Sequence, residues 1–190
     1  MQKKDLRVVK TQKNIRESFI RLLELKSFSA ITVQNILDEA LINRTTFYRH
    51  YDSKYELVEI LNREIMDRFE RMLSSSLQDR EDPERLFGSV EQLAEAFRAD
   101  RKTIIALWKV REEGLDLYSD MEMMMRRKFR SFLEAGATED DNLDYQTTFM
   151  TAAILATFRY LLESPESYRV KELTMQVARL MSKHMLKVGK

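Results

Sequence analysis

The sequence contains no cysteine, which excludes disulfide bridges, a thiolate nucleophile and cysteine-ligated zinc sites or metal clusters. Its four glycines and two prolines are too few for a collagen-like chain or for the many turns of an all-β protein. The longest nearly apolar segment, residues 149–158, is shorter than the roughly 20 residues of a membrane span. Because the first residues also lack the apolar segment of a secretory signal, we expect a soluble, cytoplasmic protein without a membrane span.

Sequence motifs of the common enzyme classes are absent as well. There is no G-x-G-x-x-G, no P-loop, no G-x-S-x-G and no Glu-x-x-His. The two histidines, His50 and His184, are far apart in the sequence, and nothing places two of the 31 acidic residues on a shared apolar face. The sequence therefore indicates neither an enzyme nor a metal or cofactor site.

Apolar residues recur every three or four positions through most of the chain, which is typical of amphipathic helices. Ser53 followed by Glu56 is the pattern of a capping box at the start of a helix. Together these signals predict about nine helices, at residues 11–25, 32–39, 43–50, 54–75, 83–99, 101–112, 116–135, 142–163 and 168–187. The sequence thus predicts an all-α protein, with a compact three-helix head (1–54) joined by a long helix to a larger helical body (55–190).

Residues 32–51 have the spacing of a helix-turn-helix, with the turn at residues 40–42 and a second short helix capped by Asn43. No acidic residue lies between Glu39 and Asp52, and residues 1–54 carry a net charge of +5 against −4 for the rest. The second helix is expected to direct donors and one aromatic ring outward from Arg44, Thr45, Tyr48 and Arg49, with Thr46 near its beginning. Such a surface suits the DNA major groove, although an ordinary helical hairpin with a solvated face has the same spacing.

Several neighbouring residues are placed to bind phosphates. Tyr48, His50 and Lys54 can reach a DNA backbone from the end of the second helix and the start of the long one. Thr11 and Thr32 stand at predicted helix starts, where each hydroxyl can bind a phosphate or simply cap its helix.

The run LINRTTFYRHYDSKYELVEIL resembles the signature of the TetR/AcrR family of bacterial transcriptional regulators. The resemblance covers roughly residues 10–60 and includes Ile31-Thr32-Val33 at the start of the predicted helix 32–39. The family usually has glycine at the position of Leu41, and leucine tolerates a left-handed turn poorly. The other matching positions are Ala40, Ile42, Tyr48, Tyr51, Ser53, Lys54 and Leu57.

The resemblance implies a sequence-specific, DNA-binding transcriptional regulator, a homodimeric repressor that binds an inverted repeat of double-stranded DNA and is released by a small-molecule effector. It implies base contacts for Arg44, Thr45 and Thr46, and backbone contacts for Tyr48, His50 and Lys54. Arg44 suits guanine or a phosphate equally well. A helical protein-interaction or nucleoid-associated factor, which would use the same head without an inducer, is the alternative.

The predicted helix at 142–163 is apolar on most sides between residues 149 and 158. Ala152, Ala153 and Ala156 would let another helix approach closely. The resemblance implies that helices 142–163 and 168–187 pair with their copies in a dimer, although a buried core helix of a monomer has the same composition. The methionines between Met121 and Met125 suit an adaptable effector cavity, but no ligand-binding residue is assigned.

Overall fold

A computed structural model describes residues 6–77, 90, 92–134, 137 and 142–164. Every regular element in these ranges is a helix, so the predicted all-α class is confirmed. Short 3-10 turns occur at Phe28–Ala30 and Arg98–Asp100, and residues 92–96 are helical. The longer elements are α1 (Leu6–Leu25), α2 (Val33–Ala40), α3 (Arg44–Tyr48), α4 (Lys54–Ser76), α5 (Arg101–Leu107), α6 (Leu117–Glu134) and α7 (Leu143–Glu163).

The predicted helices differ from the structure mainly at their ends. Helix α1 begins at Leu6 rather than at residue 11, because residues 6–10 contain no glycine or proline to interrupt it. Thr11 therefore lies inside α1, where its hydroxyl donates to the Arg7 carbonyl at 2.9 Å, and its predicted place at a helix start is wrong. Helix α5 ends at Leu107, before the predicted residue 112. The predicted helix 168–187 lies outside the described residues, as do residues 83–89 and 91 of the predicted helix 83–99.

The chain divides into two compact units. The first contains the residues up to Ile65 together with Lys102–Leu117, and the second contains Met66–Arg101 and the residues from Tyr118 onward. Helix α4 therefore contributes its first half to one unit and its second half to the other. The domain boundary at residues 54 and 55 stays a prediction.

The core of the first unit is built from the apolar faces that the periodicity predicts. Ile15, Phe19 and Leu22 of α1 are buried, and α1 packs on α2. The Phe19 and Phe28 rings are nearly perpendicular, with the centroids 6.3 Å apart. Burial of each such side chain contributes about 1.5–3 kcal/mol, so these faces hold the short helices α2 and α3 in place.

The core of the second unit contains a cluster of three phenylalanine rings. Phe69, Phe97 and Phe158 are fully buried, and their centroids lie 5.5 to 6.2 Å apart. The Arg68 guanidinium lies 3.8 Å from the centroid of the Phe97 ring and donates to Asp100 at 2.6 Å. Among the described helices, none combines the length and apolar character that a membrane span requires.

Candidate nucleic-acid interface

The short helix α3 is fixed at its beginning by Asn43 and along its inner side by Phe47. The Asn43 side chain accepts hydrogen bonds from the Thr46 backbone N–H at 2.8 Å and from the Thr46 hydroxyl at 2.9 Å. This confirms the predicted cap. Phe47 is fully buried, and its ring centroid lies 5.5 Å from that of Tyr48 and 5.8 Å from that of Tyr51. A five-residue helix has little stability of its own, so tertiary contacts of this kind determine its orientation.

The turn between α2 and α3 passes through Leu41 in the left-handed conformation, at φ 53° and ψ 46°. The Ile42 N–H donates to the Leu37 carbonyl at 3.1 Å, and the Leu41 N–H donates to the Asp38 carbonyl at 3.4 Å. These two bonds form a Schellman motif, which usually has glycine where Leu41 stands. The Leu41 side chain is 91% exposed, so packing does not compensate for its backbone strain.

We expect Leu41→Gly to raise the free energy of unfolding of the first unit by about 1 kcal/mol. A residue with a Cβ loses roughly 1–2 kcal/mol in this conformation, and the flexibility of glycine in the unfolded chain removes part of that gain. Urea unfolding followed by the fluorescence of Trp108, the one tryptophan of the chain, measures the change. Leu41→Ala keeps the Cβ and is the control; equal stability of the two variants would contradict the strain.

Two contacts hold α2 against α1. The Asn14 side-chain amide donates to the Ala40 carbonyl at the end of α2, at 2.7 Å. Arg21 forms an ion pair with Glu39 at 2.7 Å. The Glu39 carboxylate is the last one before the acid-free segment, and this ion pair occupies it. The positive groups that follow are therefore not neutralised by this glutamate.

The outer side of α3 brings three of the predicted DNA-binding residues together. Arg44, Thr45 and Tyr48 are exposed, the tyrosine to 46%. Arg49, at the end of α3, is exposed as well. Neither arginine side chain has a hydrogen-bond or ion-pair partner among the described residues. The result is a small surface of unpaired donors without a carboxylate of its own.

The other predicted base and phosphate residues have more restricted positions. Thr46 and His50 are half-buried, and the Thr46 hydroxyl hydrogen is already donated to Asn43. Thr32 is exposed and forms a reciprocal capping box with Asn35, in which its hydroxyl accepts at 3.1 Å and its N–H donates at 3.0 Å. Because the Thr32 hydroxyl only accepts there, its own hydrogen is still available for a phosphate. The roles of all these residues toward DNA stay predictions.

Lys54 occupies the first position of α4, but its ammonium is directed into the first unit. The Nζ atom donates to the carbonyls of Phe28 at 2.8 Å and Ile31 at 2.7 Å. Next to it, the Ser53 hydroxyl accepts from the Glu56 N–H at 3.1 Å, as the predicted capping box requires. The Glu56 carboxylate accepts from the Asp52 N–H, one residue earlier than in the standard box.

A further group of side chains connects α1, the residue after α3, and α4. Arg16 donates to both carboxylate oxygens of Glu64 at 2.6 and 2.8 Å, and to the Tyr51 hydroxyl at 3.0 Å. The pKa of Arg16 is raised, first by the hydrogen bond to Glu64. This bidentate contact fixes the first half of α4 relative to the helix-turn-helix within the first unit.

Known proteins resemble this chain in sequence over its helix-turn-helix. Residues 15–61 match the family model described as "Bacterial regulatory proteins, tetR family". Over this segment the chain is similar to the tetR family. The tetR segment includes all of α2 and α3 and the first turns of α4, so it contains the exposed donors described above. A curated relative, the uncharacterized HTH-type transcriptional regulator YxbF of Bacillus subtilis (strain 168), is 36% identical over 58 residues, which is 30% of this chain and 15% of the relative. The chain thus spans a small part of that relative's length.

Solved structures extend the similarity of fold beyond the tetR segment. The fatty acid degradation regulator FadR from Bacillus halodurans has a TM-score of 0.64 at 15% identity, over 97% of this chain and 98% of that one. The transcriptional regulator FadR from Bacillus subtilis, solved in complex with stearoyl-CoA, has a TM-score of 0.61 at 14% identity, over 89% and 96% of the two chains. At these identities the likeness establishes the fold.

Arg49 belongs to the surface of exposed donors although no specific DNA contact is predicted for it; its outward position and the acid-free segment around it are the available signals. The partners of Arg16 and Lys54 lie 23 to 48 residues away in the sequence, and no local pattern indicates them.

Proposed function

We propose that the chain is a homodimeric transcriptional repressor that binds an inverted-repeat operator and is released from it by a small-molecule effector. The observation that carries the DNA-binding part is the outer side of α3. It presents the unpaired side chains of Arg44, Thr45, Tyr48 and Arg49 on a helix that Phe47 anchors to the core. Phosphates repel carboxylates, and base edges accept donors in the major groove, so this surface suits duplex DNA.

Selection of bound sequences from a random DNA pool tests this proposal directly. We expect the recovered sequences to contain an inverted repeat, because two copies related by a two-fold axis read two equivalent half-sites. Recovery of sequences with no common site would contradict specific readout, and a single half-site would contradict the dimer.

The proposed dimer rests on an exposed apolar face of α7. Its members follow helical spacing and all point to solvent: Tyr145, Phe149, Ala152, Ala156 and Tyr160. The rings of Tyr145 and Phe149 stack with their centroids 6.3 Å apart, and the two alanines beyond them leave room for a second backbone. Contiguous apolar surface of this kind marks an interaction site, and the family supplies the expected partner, a second copy of the chain.

The proposed effector site rests on the interior of the second unit. Met121, Met124 and Met125 are buried on α6, and methionine adapts well to the shape of a ligand. Thr147 and Thr151 of α7 are also buried, and neither hydroxyl has a hydrogen-bond partner among the described residues. A ligand with an apolar body and a hydrogen-bonding group would satisfy both features. The stearoyl-CoA bound by one structure of similar fold is such a molecule and is a first candidate to add to the operator complex.

Arg44→Ala is expected to weaken binding to the selected operator by about 1–3 kcal/mol and to relax the preference at one base pair of each half-site. The physical reason is the loss of a bidentate pair with a base edge, for which Arg44 has free donors. Fluorescence anisotropy with the operator and with single-base variants measures both effects. Arg98→Ala, which removes an exposed arginine of the second unit, is the control with the same change of charge. An equal loss on every sequence would instead make Arg44 a phosphate contact.

A further inference from the structure

The ammonium group of Lys54 is surrounded by backbone carbonyls. In addition to Phe28 and Ile31, the Ser29 carbonyl lies 3.4 Å from Nζ. The same atom lies 4.4 Å from the centroid of the Phe28 ring and 5.3 Å from that of Tyr55. An ammonium has three N–H donors and no acceptor, so three carbonyls account for all of its hydrogen bonds. Binding of a phosphate would have to displace at least one of these three carbonyls.

The position of Lys54 in α4 agrees with this arrangement. The beginning of a helix carries the positive end of its dipole and disfavours a cation there. The carbonyl oxygens and the aromatic faces offset that repulsion on the inner side, away from the helix axis. Burial lowers the pKa of Lys54, and the nearby Glu112 acts in the opposite direction.

The two segments that Lys54 connects lie at the two ends of the helix-turn-helix. Phe28–Ile31 directly precedes Thr32, the cap of α2, whereas Lys54 follows the end of α3. The hydrogen bonds therefore join residues 23 to 26 positions apart and close a ring around α2 and α3. The nearly perpendicular contact between the Phe28 and Tyr55 rings, with centroids 5.3 Å apart, joins the same two segments. Movement of α3 relative to α2 would strain these bonds.

We propose that Lys54 is a positioning residue for DNA readout: its ammonium fixes the chain on both sides of the helix-turn-helix and so aims α3, without touching the DNA. This inference rests on the proposed DNA-binding function and gives Lys54 a role other than the phosphate contact that the family resemblance implies. The difference is measurable, because a positioning residue affects discrimination between sequences, whereas a phosphate contact affects all sequences alike and also their salt dependence.

The absence of cysteine allows the ammonium to be removed and restored at this one position. Lys54→Cys is alkylated in urea with bromoethylamine, which rebuilds a lysine-like side chain with a sulfur in it, or with bromoethanol, which gives a neutral side chain of the same length. Both proteins are then refolded. The neutral form is expected to bind the selected operator roughly tenfold more weakly, the equivalent of one charge-assisted hydrogen bond. Its affinity for scrambled DNA and its slope of log K against log salt stay as in wild type, and the aminoethyl form recovers operator binding.

A loss of equal size on operator and scrambled DNA, with the salt slope reduced by about 0.9, would show a phosphate contact and overturn the proposal. An unchanged operator affinity in the neutral form would overturn it too. Lys54→Arg is a second variant that does not depend on refolding. It keeps the charge, but its planar group does not match three converging carbonyls, so specificity falls while the salt slope stays. If Lys54 were a phosphate contact, Lys54→Arg would preserve both the specificity and the salt slope.

Amide hydrogen exchange of the DNA-free protein separates failure of this inference from failure of the proposed function. The Ile31 N–H donates to the Phe28 carbonyl at 3.1 Å, and the Thr46 N–H, inside α3, donates to the Asn43 side chain at 2.8 Å. In the neutral form both are expected to exchange roughly tenfold faster than in wild type, and in the aminoethyl form at the wild-type rate. If wild type binds no DNA, the proposed function fails, and these exchange rates still decide whether Lys54 holds α3. Unchanged exchange at Thr46 would overturn the positioning role.

Discussion

A chain with arginine in place of Ala156 is expected to be monomeric and to bind the operator roughly 100- to 10,000-fold more weakly than wild type. Ala156 lies in the middle of the exposed apolar face of α7, between Phe149 and Tyr160. In a two-fold dimer this position meets its own copy or a close neighbour, so each arginine would be buried without a partner. A monomer has one helix-turn-helix and can contact only one half-site, which accounts for the size of the effect.

Sedimentation velocity gives the oligomeric state, and anisotropy with the full operator and an isolated half-site gives the two affinities. We expect the full-site affinity to fall to the half-site affinity, which itself stays unchanged. Ala99→Arg is the matched control, because Ala99 is another exposed alanine of the second unit, outside α7. A dimer with wild-type operator affinity in the Ala156 variant would remove this face from the interface.

The helices and the exposed side of α3 were predictable because their signals are local. A buried residue every three to four positions defines a face, and side chains such as Asn43 and Thr32 cap the helix that begins next to them. The outward positions of Thr45 and Arg49 follow from the inward position of Phe47, since a step of two residues turns a helix by about 200°.

The contacts that aim α3 were not predictable in the same way. The αL conformation of Leu41 conflicts with the preference of leucine, and the bonds of Ile42 and Leu41 to the end of α2 impose it. Lys54 has the sequence position of a phosphate contact, but its ammonium is bound by carbonyls that precede it by 23 to 26 residues. Arg16 shows the same limit, since its partner Glu64 is 48 residues away. Pairings over such separations depend on the packed structure, which a helical period does not specify.

Phe47→Ala is expected to lower the free energy of unfolding of the first unit by about 3–5 kcal/mol. Phe47 is fully buried, and it is the one buried side chain of α3, so its removal leaves a cavity where α3 joins the core. The neighbouring rings of Tyr48 and Tyr51 lose an aromatic partner at the same time, each worth about 0.5–1.5 kcal/mol. Because domains of this size are stable by only about 5–15 kcal/mol, the variant is close to unfolding at 37 °C.

Two further variants separate the packing of α3 from its contacts with DNA. Phe47→Leu keeps most of the apolar volume and is expected to lose about 1.5 kcal/mol. Tyr48→Ala changes an exposed side chain, so it should cost about 1 kcal/mol of stability or less while weakening operator binding. Urea unfolding observed through Trp108, which is buried in the same unit, ranks the three variants. An unfolding midpoint for Phe47→Ala equal to that of Tyr48→Ala would mean that the Phe47 ring does not anchor α3. Other contacts would then have to fix the orientation of α3.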